Sequence, residues 1–306
     1  MTKYTKSELL QIYNLPLEDL LEKASELTSK ETEFCSLISA KTGKCSENCK
    51  YCAQSSHYLT DIYTHPLVDT ESVLKAANEA KTNKVNRFAI VTSGKTPSED
   101  DFEDMLEMIR SINSIEGLTS CASIGILNEN QTKKLKEAGL NRYHHNINTS
   151  SSYYASVCTS HTFNERLDTI KLVKKYGLEL CCGVILGMGE KIENRVEMAM
   201  ELADIAPESI PVNFLTPIKG TPFESYIDKI DEEHILRTLA LFKIAVPNAI
   251  IRFAGGRHLR LSVQNQIKAL KSAVEGMMIG NYLTTIGVSP EEDIEMVNSI
   301  GKKINV

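Results

Sequence analysis

The chain has 306 residues, with 34 Lys and Arg against 40 Asp and Glu, a formal net charge of −6. That balance excludes a dedicated nucleic-acid binder, because no basic excess is present to neutralise a phosphate backbone. With 42% hydrophobic and 24% charged residues the chain can bury a large core, and its longest apolar run, near Val184–Met188, is far shorter than the roughly 20 residues of a membrane span.

In chain order, residues 6–29 read as one or two helices, and a β-rich run follows at 34–40. From there helix and strand alternate: helix 71–82, strand 86–93, helix 99–114, strand 118–126, helix 128–138 and strand 140–148. The second half continues with helix 163–176, strand 178–186, helix 191–205, strand 209–215 and helix 231–245. Strand 249–254, helix 263–274, strand 276–280 and helix 290–300 complete it. Start signals stand at Thr70, Ser98 and Ser289-Pro290, and Gly139 and Gly177 stand where helices should stop. Acidic residues at 99–101 and 291–293 suit helix N-terminal turns.

Eight βα units without a linker predict one α/β fold, a single (β/α)8 TIM-type barrel. The expected organisation is an N-terminal helical extension over 1–30 and a barrel with its C-terminal helix over 31–306. An open doubly wound sheet is the alternative. The first residues lead into no secretory apolar stretch, so a cytoplasmic location is expected, with neither nucleic acid nor membrane as partner.

Strand parity locates the site. Outward residues of a barrel pack on helices, and alternate residues face the lumen. Ile210, Val212 and Phe214 outward turn Ser209 and Asn213 inward; Ile251 and Phe253 outward turn Arg252 inward. His144, Asn146 and Asn148 share one face, as do Thr119, Cys121 and Ser123, and Cys35, Leu37 and Ser39. Cys181 falls on the opposite face from Cys182, Val184 and Leu186. A lumen of thiols, amides and a guanidinium is no ordinary barrel core.

Cys45, Cys49 and Cys52 form a C-x3-C-x2-C loop directly after the first strand, at the mouth where barrel sites are built. In a reducing compartment such a group points to metal rather than disulfides. Three thiolates can hold three irons of a [4Fe–4S] centre and leave the fourth iron open to a small molecule. A Cys3His zinc site with His57 is the bland alternative. Cys158 reads as incidental, and the seven histidines show no metal-ligand spacing.

With its aromatic Tyr51, this loop resembles the radical S-adenosylmethionine superfamily. The string Thr42-Gly-Lys-Cys-Ser-Glu-Asn-Cys-Lys-Tyr-Cys-Ala-Gln-Ser-Ser-His-Tyr58 resembles the biotin synthase family, as do Tyr143–Thr149, Glu165–Thr169, Gly187–Glu190, Pro211–Asn213, Lys219–Pro222 and Leu283–Thr285. The resemblance implies a [4Fe–4S] cluster on Cys45, Cys49 and Cys52 and S-adenosyl-L-methionine held by Tyr51, Thr92, Asn146, Asn148 and Arg166. It implies dethiobiotin held by Asn146, Asn213, Thr284 and Thr285. An auxiliary iron–sulfur cluster deep in the barrel would supply sulfur, making the chain a sulfurtransferase. A flavodoxin or ferredoxin as electron donor and a homodimer are further family expectations.

The chain departs from that family in two places. Asn148 replaces the usual aspartate. The usual auxiliary [2Fe–2S] cluster takes three cysteines and an arginine; Cys121, Cys181 and Arg252 match, but the fourth position is Ala89, while Cys35 stands where a serine is usual. The expectation is a rebuilt auxiliary site on Cys35, Cys121, Cys181 and Arg252, with Cys182 as a further candidate. A second cubane carrying an extra sulfide would fit that set. Competing readings are another radical S-adenosylmethionine barrel, of hydrogenase-maturase or methylornithine-synthase type, and a non-catalytic iron–sulfur or zinc scaffold.

Overall fold

The computed structural model describes residues 4–227, 229–283 and 287–305. Its strands are β1 (Glu31–Lys41), β2 (Arg87–Thr92), β3 (Thr119–Ser123), β4 (Arg142–His144), β5 (Glu179–Cys181), β6 (Val184–Leu186), β7 (Ser209–Phe214), β8 (Ile250–Phe253), β9 (Gly276–Met278) and β10 (Lys303–Asn305). All pairings are parallel, and β9 returns to β1 through Glu33–Gly276, Phe34–Met277 and Cys35–Met278. The sheet therefore closes, with β5 and β6 sharing one of eight barrel positions. The expected TIM-type barrel is the fold, and the open sheet is excluded. Among the described residues, no helix is long and apolar enough to cross a membrane.

Residues 6–29 form two helices, Lys6–Tyr13 and Leu17–Ser25. Leu9, Tyr13, Leu20, Leu21 and Ala24 bury their apolar faces. The Tyr13 hydroxyl meets His234 Nδ1 at 2.9 Å and accepts from Arg195 at 3.2 Å. Arg237 donates to the Tyr13 and Leu15 carbonyls at 2.9 and 2.6 Å. The extension is thus tied to the helices Ile192–Ile205 and Glu232–Ala245.

Ser98 and Ser289 cap their helices as expected, through Asp101 N and Glu292 N, with Pro290 as the first residue of its helix. Gly139 and Gly177 follow helix ends at φ +88° and +64°, where a side chain would be strained. Two signals need correction. Asp69, not Thr70, caps Thr70–Thr82. Asp293 is more than a dipole partner: it is fully buried and paired with the buried Arg257.

The outward faces of the strands form the apolar layer beneath the helices, including Phe34, Phe88, Ile90, Tyr143, Leu180, Cys182, Val184, Ile210, Val212, Ile251 and Phe253. Two expected strands are interrupted where they meet the lumen. The ladder of 140–148 survives only over Arg142–His144. The run 178–186 breaks at Cys182-Gly183, and Gly183 N donates to the Asn146 side chain at 2.8 Å. A Cβ on Gly183 would sit 1.9 Å from the Pro211 carbonyl oxygen. Gly183→Ala is therefore expected to destabilise the barrel by about 1–3 kcal/mol, read as a lower urea midpoint.

Candidate active site

The lumen opens into a cavity of about 390 Å³ that reaches from β1–β4 across to β7 and β8. Its floor is ionic. Glu33 on β1 meets Arg87 at 2.7 Å, Arg142 at 3.0 Å and Arg252 in a short contact. Glu179 meets the same Arg87 and Arg142 at 3.2 and 2.8 Å. Burial works against the Glu33 carboxylate, but the guanidiniums of Arg252, Arg142 and Arg87 outweigh it and bring its pKa down to about 2. Three guanidiniums against two carboxylates leave one net positive charge at the base of the lumen.

Cys35, Cys121 and Cys181 line the same cavity from β1, β3 and β5. Register explains the grouping: Cys35 pairs with Arg87, Cys121 with Arg142, and Cys181 with His144. Ala89 lies level with Cys121 and presents only a methyl group. Burial raises the Cys121 thiol to about 12 despite Arg142 and Arg87, and it raises Cys35 and Cys181 as well. These thiols are protonated at neutral pH and would become thiolates on binding iron.

Arg252 reaches this region but is engaged by Glu33, the Glu33 carbonyl at 3.2 Å and Ser209 Oγ at 3.4 Å. Cys182, expected as a further candidate, lies in the outer apolar layer, because parity turns it toward the helices. Sequence reading missed a nearer donor. His144 Nδ1 stands 3.4 Å from Cys181 Sγ, and burial, then Arg166 and Arg252, lowers its pKa to about 4. It is a neutral imidazole beside a thiol, and its inward parity was the available signal.

The three-cysteine loop leaves β1 at the mouth. Gly43 takes φ +83°, and the loop folds back so that Cys45 N donates to Gln54 O at 3.0 Å and Cys52 N to Cys49 O at 2.9 Å. Cys52 and Tyr51 line the cavity, while Cys45 and Cys49 are buried in the same loop. Burial raises Cys52 to about 11. His57, the ligand of the zinc alternative, is exposed and hydrogen-bonded to the Ser46 carbonyl at 2.9 Å.

Cys158 is not incidental. Its sulfur lies 3.5 Å from Cys49 Sγ, and Cys49, Cys158 and His161 bring their ligand atoms within 4.8 Å of one another. Sequence spacing could not show this, since 109 residues separate the two cysteines.

Between floor and mouth stand the polar residues. Asn146 Oδ1 accepts from Gly183 N, which leaves its amide N–H groups for a ligand. Asn148 takes φ +66°, an uncommon backbone that asparagine tolerates, and its buried Nδ2 has no partner. Arg166 donates to Tyr154 OH at 2.6 Å and to the Asn146 carbonyl at 3.0 Å. Asn213 accepts from Gly255 N at 3.1 Å and donates to Val184 O at 3.4 Å. Thr92 lines the same cavity. Thr284 and Thr285 lie outside the described residues. The turn Gly187-Met188-Gly189-Glu190 is closed by Glu190, which accepts from Gly187 N and Met188 N at 3.0 and 2.8 Å.

Comparison with known proteins bears on this arrangement. Residues 39–203 match the radical SAM superfamily, and residues 211–303 match the biotin and thiamin synthesis associated domain. A biotin synthase of Acetivibrio thermocellus is 46% identical over 90% of this chain and 85% of its own. Another, of Clostridium tetani, is 42% identical over 96% and 91%. The chain belongs to the biotin synthase family. Among solved structures, methylornithine synthase superposes with a TM-score of 0.82 over 99% of this chain and 95% of its own, at 16% identity. A maturase of the [FeFe]-hydrogenase gives 0.83 over 98% and 72%, also at 16% identity. Those two likenesses concern the barrel alone. The donors present fit iron–sulfur chemistry, with thiols at the mouth and a second set of thiols in the lumen above the ionic floor.

Proposed function

We propose that this member of the biotin synthase family runs the family reaction with an auxiliary centre of its own construction. The chain is a sulfurtransferase of the radical S-adenosylmethionine class and converts dethiobiotin to biotin by inserting sulfur. A [4Fe–4S] centre on Cys45, Cys49 and Cys52, when bound, supplies the electron that cleaves S-adenosylmethionine. The rest falls to the chain's own residues. Tyr51 and Thr92 at the mouth, with Asn146, Asn148 and Arg166, hold S-adenosylmethionine; the unpartnered Asn148 Nδ2 supports that role. Asn146 and Asn213 hold the ureido ring of dethiobiotin, with Thr284 and Thr285 assigned to its tail by resemblance.

The observation that carries the auxiliary reading is one lumen holding Cys35, Cys121 and Cys181 together above the charged floor. A net positive floor favours an anionic iron–sulfur group over three neutral thiols. With Ala89 unable to ligate and Arg252 held by Glu33, the fourth donor is His144 or a non-protein sulfide. A sulfide on a second cubane would be a ready sulfur source. A homodimer served by a flavodoxin or ferredoxin completes the reading.

The test is anaerobic reconstitution with iron and sulfide, then S-adenosylmethionine, a low-potential reductant and dethiobiotin, with products read by mass spectrometry. Biotin together with 5′-deoxyadenosine is the expected result. Deoxyadenosine without biotin would keep the radical chemistry and overturn the sulfur insertion; zinc as the only bound metal would favour the scaffold.

A further inference from the structure

The N-terminal extension and the turn Gly187–Glu190 are unused by the chemistry above, and a line of buried polar groups joins them. Tyr13 ends the helix Lys6–Tyr13 and is 1% exposed. Its oxygen accepts from Arg195 Nη1 at 3.2 Å, and its own O–H is left to donate to His234 Nδ1 at 2.9 Å. Arg195 is buried as well; it donates from Nε to Glu190 Oε1 at 3.3 Å and from Nη2 to the Glu190 carbonyl at 3.5 Å. Glu190 in turn accepts Gly187 N on one carboxylate oxygen and Met188 N on the other. That turn backs the cavity. Met188 is fully buried and packs in one apolar group with Ile185 and Leu215, with Tyr51 against them. Ile185, Leu215 and Tyr51 line the cavity itself.

We infer that Tyr13, acting through Arg195 and Glu190, is a positioning residue for S-adenosylmethionine binding: the N-terminal extension sets the turn that supports the cavity wall beside Tyr51. The inference rests on that cavity holding S-adenosylmethionine. A guanidinium is a rigid plane, so the bonds it makes are set together. Without the Tyr13 oxygen, the N–H at Nη1 has no partner in a buried site, and the arginine must shift to find one. The shift carries Nε away from Glu190, a contact that is already long at 3.3 Å. The carboxylate moves with it, and so do Gly187 N and Met188 N, which loosens the packing of Met188 beneath Ile185, Leu215 and Tyr51. Tyr13, Arg195 and Glu190 stand behind the wall and act only through it.

The experiment measures S-adenosylmethionine binding to the reconstituted full chain by equilibrium dialysis, without reductant so that nothing is cleaved, together with urea unfolding of the same proteins. Tyr13→Phe removes the oxygen and keeps the ring. Its Kd is expected to rise about fivefold, the worth of one ordinary hydrogen bond. Arg195→Lys keeps the charge but has no fork to hold Tyr13 and Glu190 together, and should lose at least as much. Arg237→Gln is the control. Arg237 holds the same extension by the Tyr13 and Leu15 carbonyls, away from the line of groups leading to the turn. Its loss should lower the urea midpoint and leave the Kd unchanged. An equal Kd in wild type and Tyr13→Phe would overturn the inference, whatever the urea midpoint. So would an equal rise in Arg237→Gln, which would make Tyr13 an anchor of the extension and nothing more. A wild type that binds iron but no S-adenosylmethionine would instead fail the reading of the cavity, and the inference with it.

Discussion

Cys35→Ser is expected to remove the auxiliary iron and halt biotin formation while 5′-deoxyadenosine is still produced. Cys35 lines the lumen with Cys121 and Cys181, whereas Cys45, Cys49 and Cys52 sit on the loop at the mouth. A hydroxyl of the same size preserves packing but is a poor iron ligand. Changes one layer outside a metal typically cost about 10–100-fold, so losing a ligand should exceed that in biotin yield. Iron and sulfide per chain, measured with both products, decide it: auxiliary iron unchanged in the variant would remove Cys35 from the site. Cys182→Ser is the matched control and should leave iron content unaltered, because that side chain belongs to the outer apolar layer.

Glu33→Gln is expected to give the largest loss of stability. The side chain neutralises Arg87, Arg142 and Arg252 in a buried site, and an amide leaves those guanidiniums short of counter-charge. Breaking a buried pair from one side costs about 3–5 kcal/mol, measured by urea unfolding at neutral pH. The loss should be greatest in iron-free protein, since thiolates bound to iron would replace part of the missing negative charge. The pH dependence has a definite sign. Glu33 titrates near 2 in the fold, below its ordinary value of 4.5, so its contribution is present above 4.5 and is lost as pH falls toward 2. Wild type should weaken across that window, and the glutamine variant should lack this component.

Much of the barrel was legible because its signals are local. Each expected strand from 34–40 to 276–280 overlaps a barrel strand, since outward positions must be apolar to meet helices, and that demand writes period-two patterns into the chain. The same parity separates Cys181 from its neighbour Cys182. The mouth loop was legible for a different reason: three cysteines on eight consecutive residues need no tertiary contact to be recognised as a group.

What the sequence hid depends on contacts between distant segments. The breaks at His145–Asn148 and at Cys182-Gly183 arise because the Asn146 amide takes the place of a ladder hydrogen bond, a substitution no propensity reveals. Asp293 looked like a helix N-terminal charge until Arg257 was found buried against it. Cys158 and His161 carry no motif of their own; they gain meaning only because Asn48 pins their segment onto the cysteine loop.

The ordered chain alone thus specified the alternation, the closed barrel, the lumen-facing polar residues and the mouth thiols, all properties of residues near one another or of one repeating period. Only the closed structure decided that Arg252 is committed to Glu33, that His144 stands beside Cys181, and that Cys158 meets Cys49. Those are contacts between strands and loops distant in sequence, set by register and closure, and a one-dimensional pattern carries no measure of them.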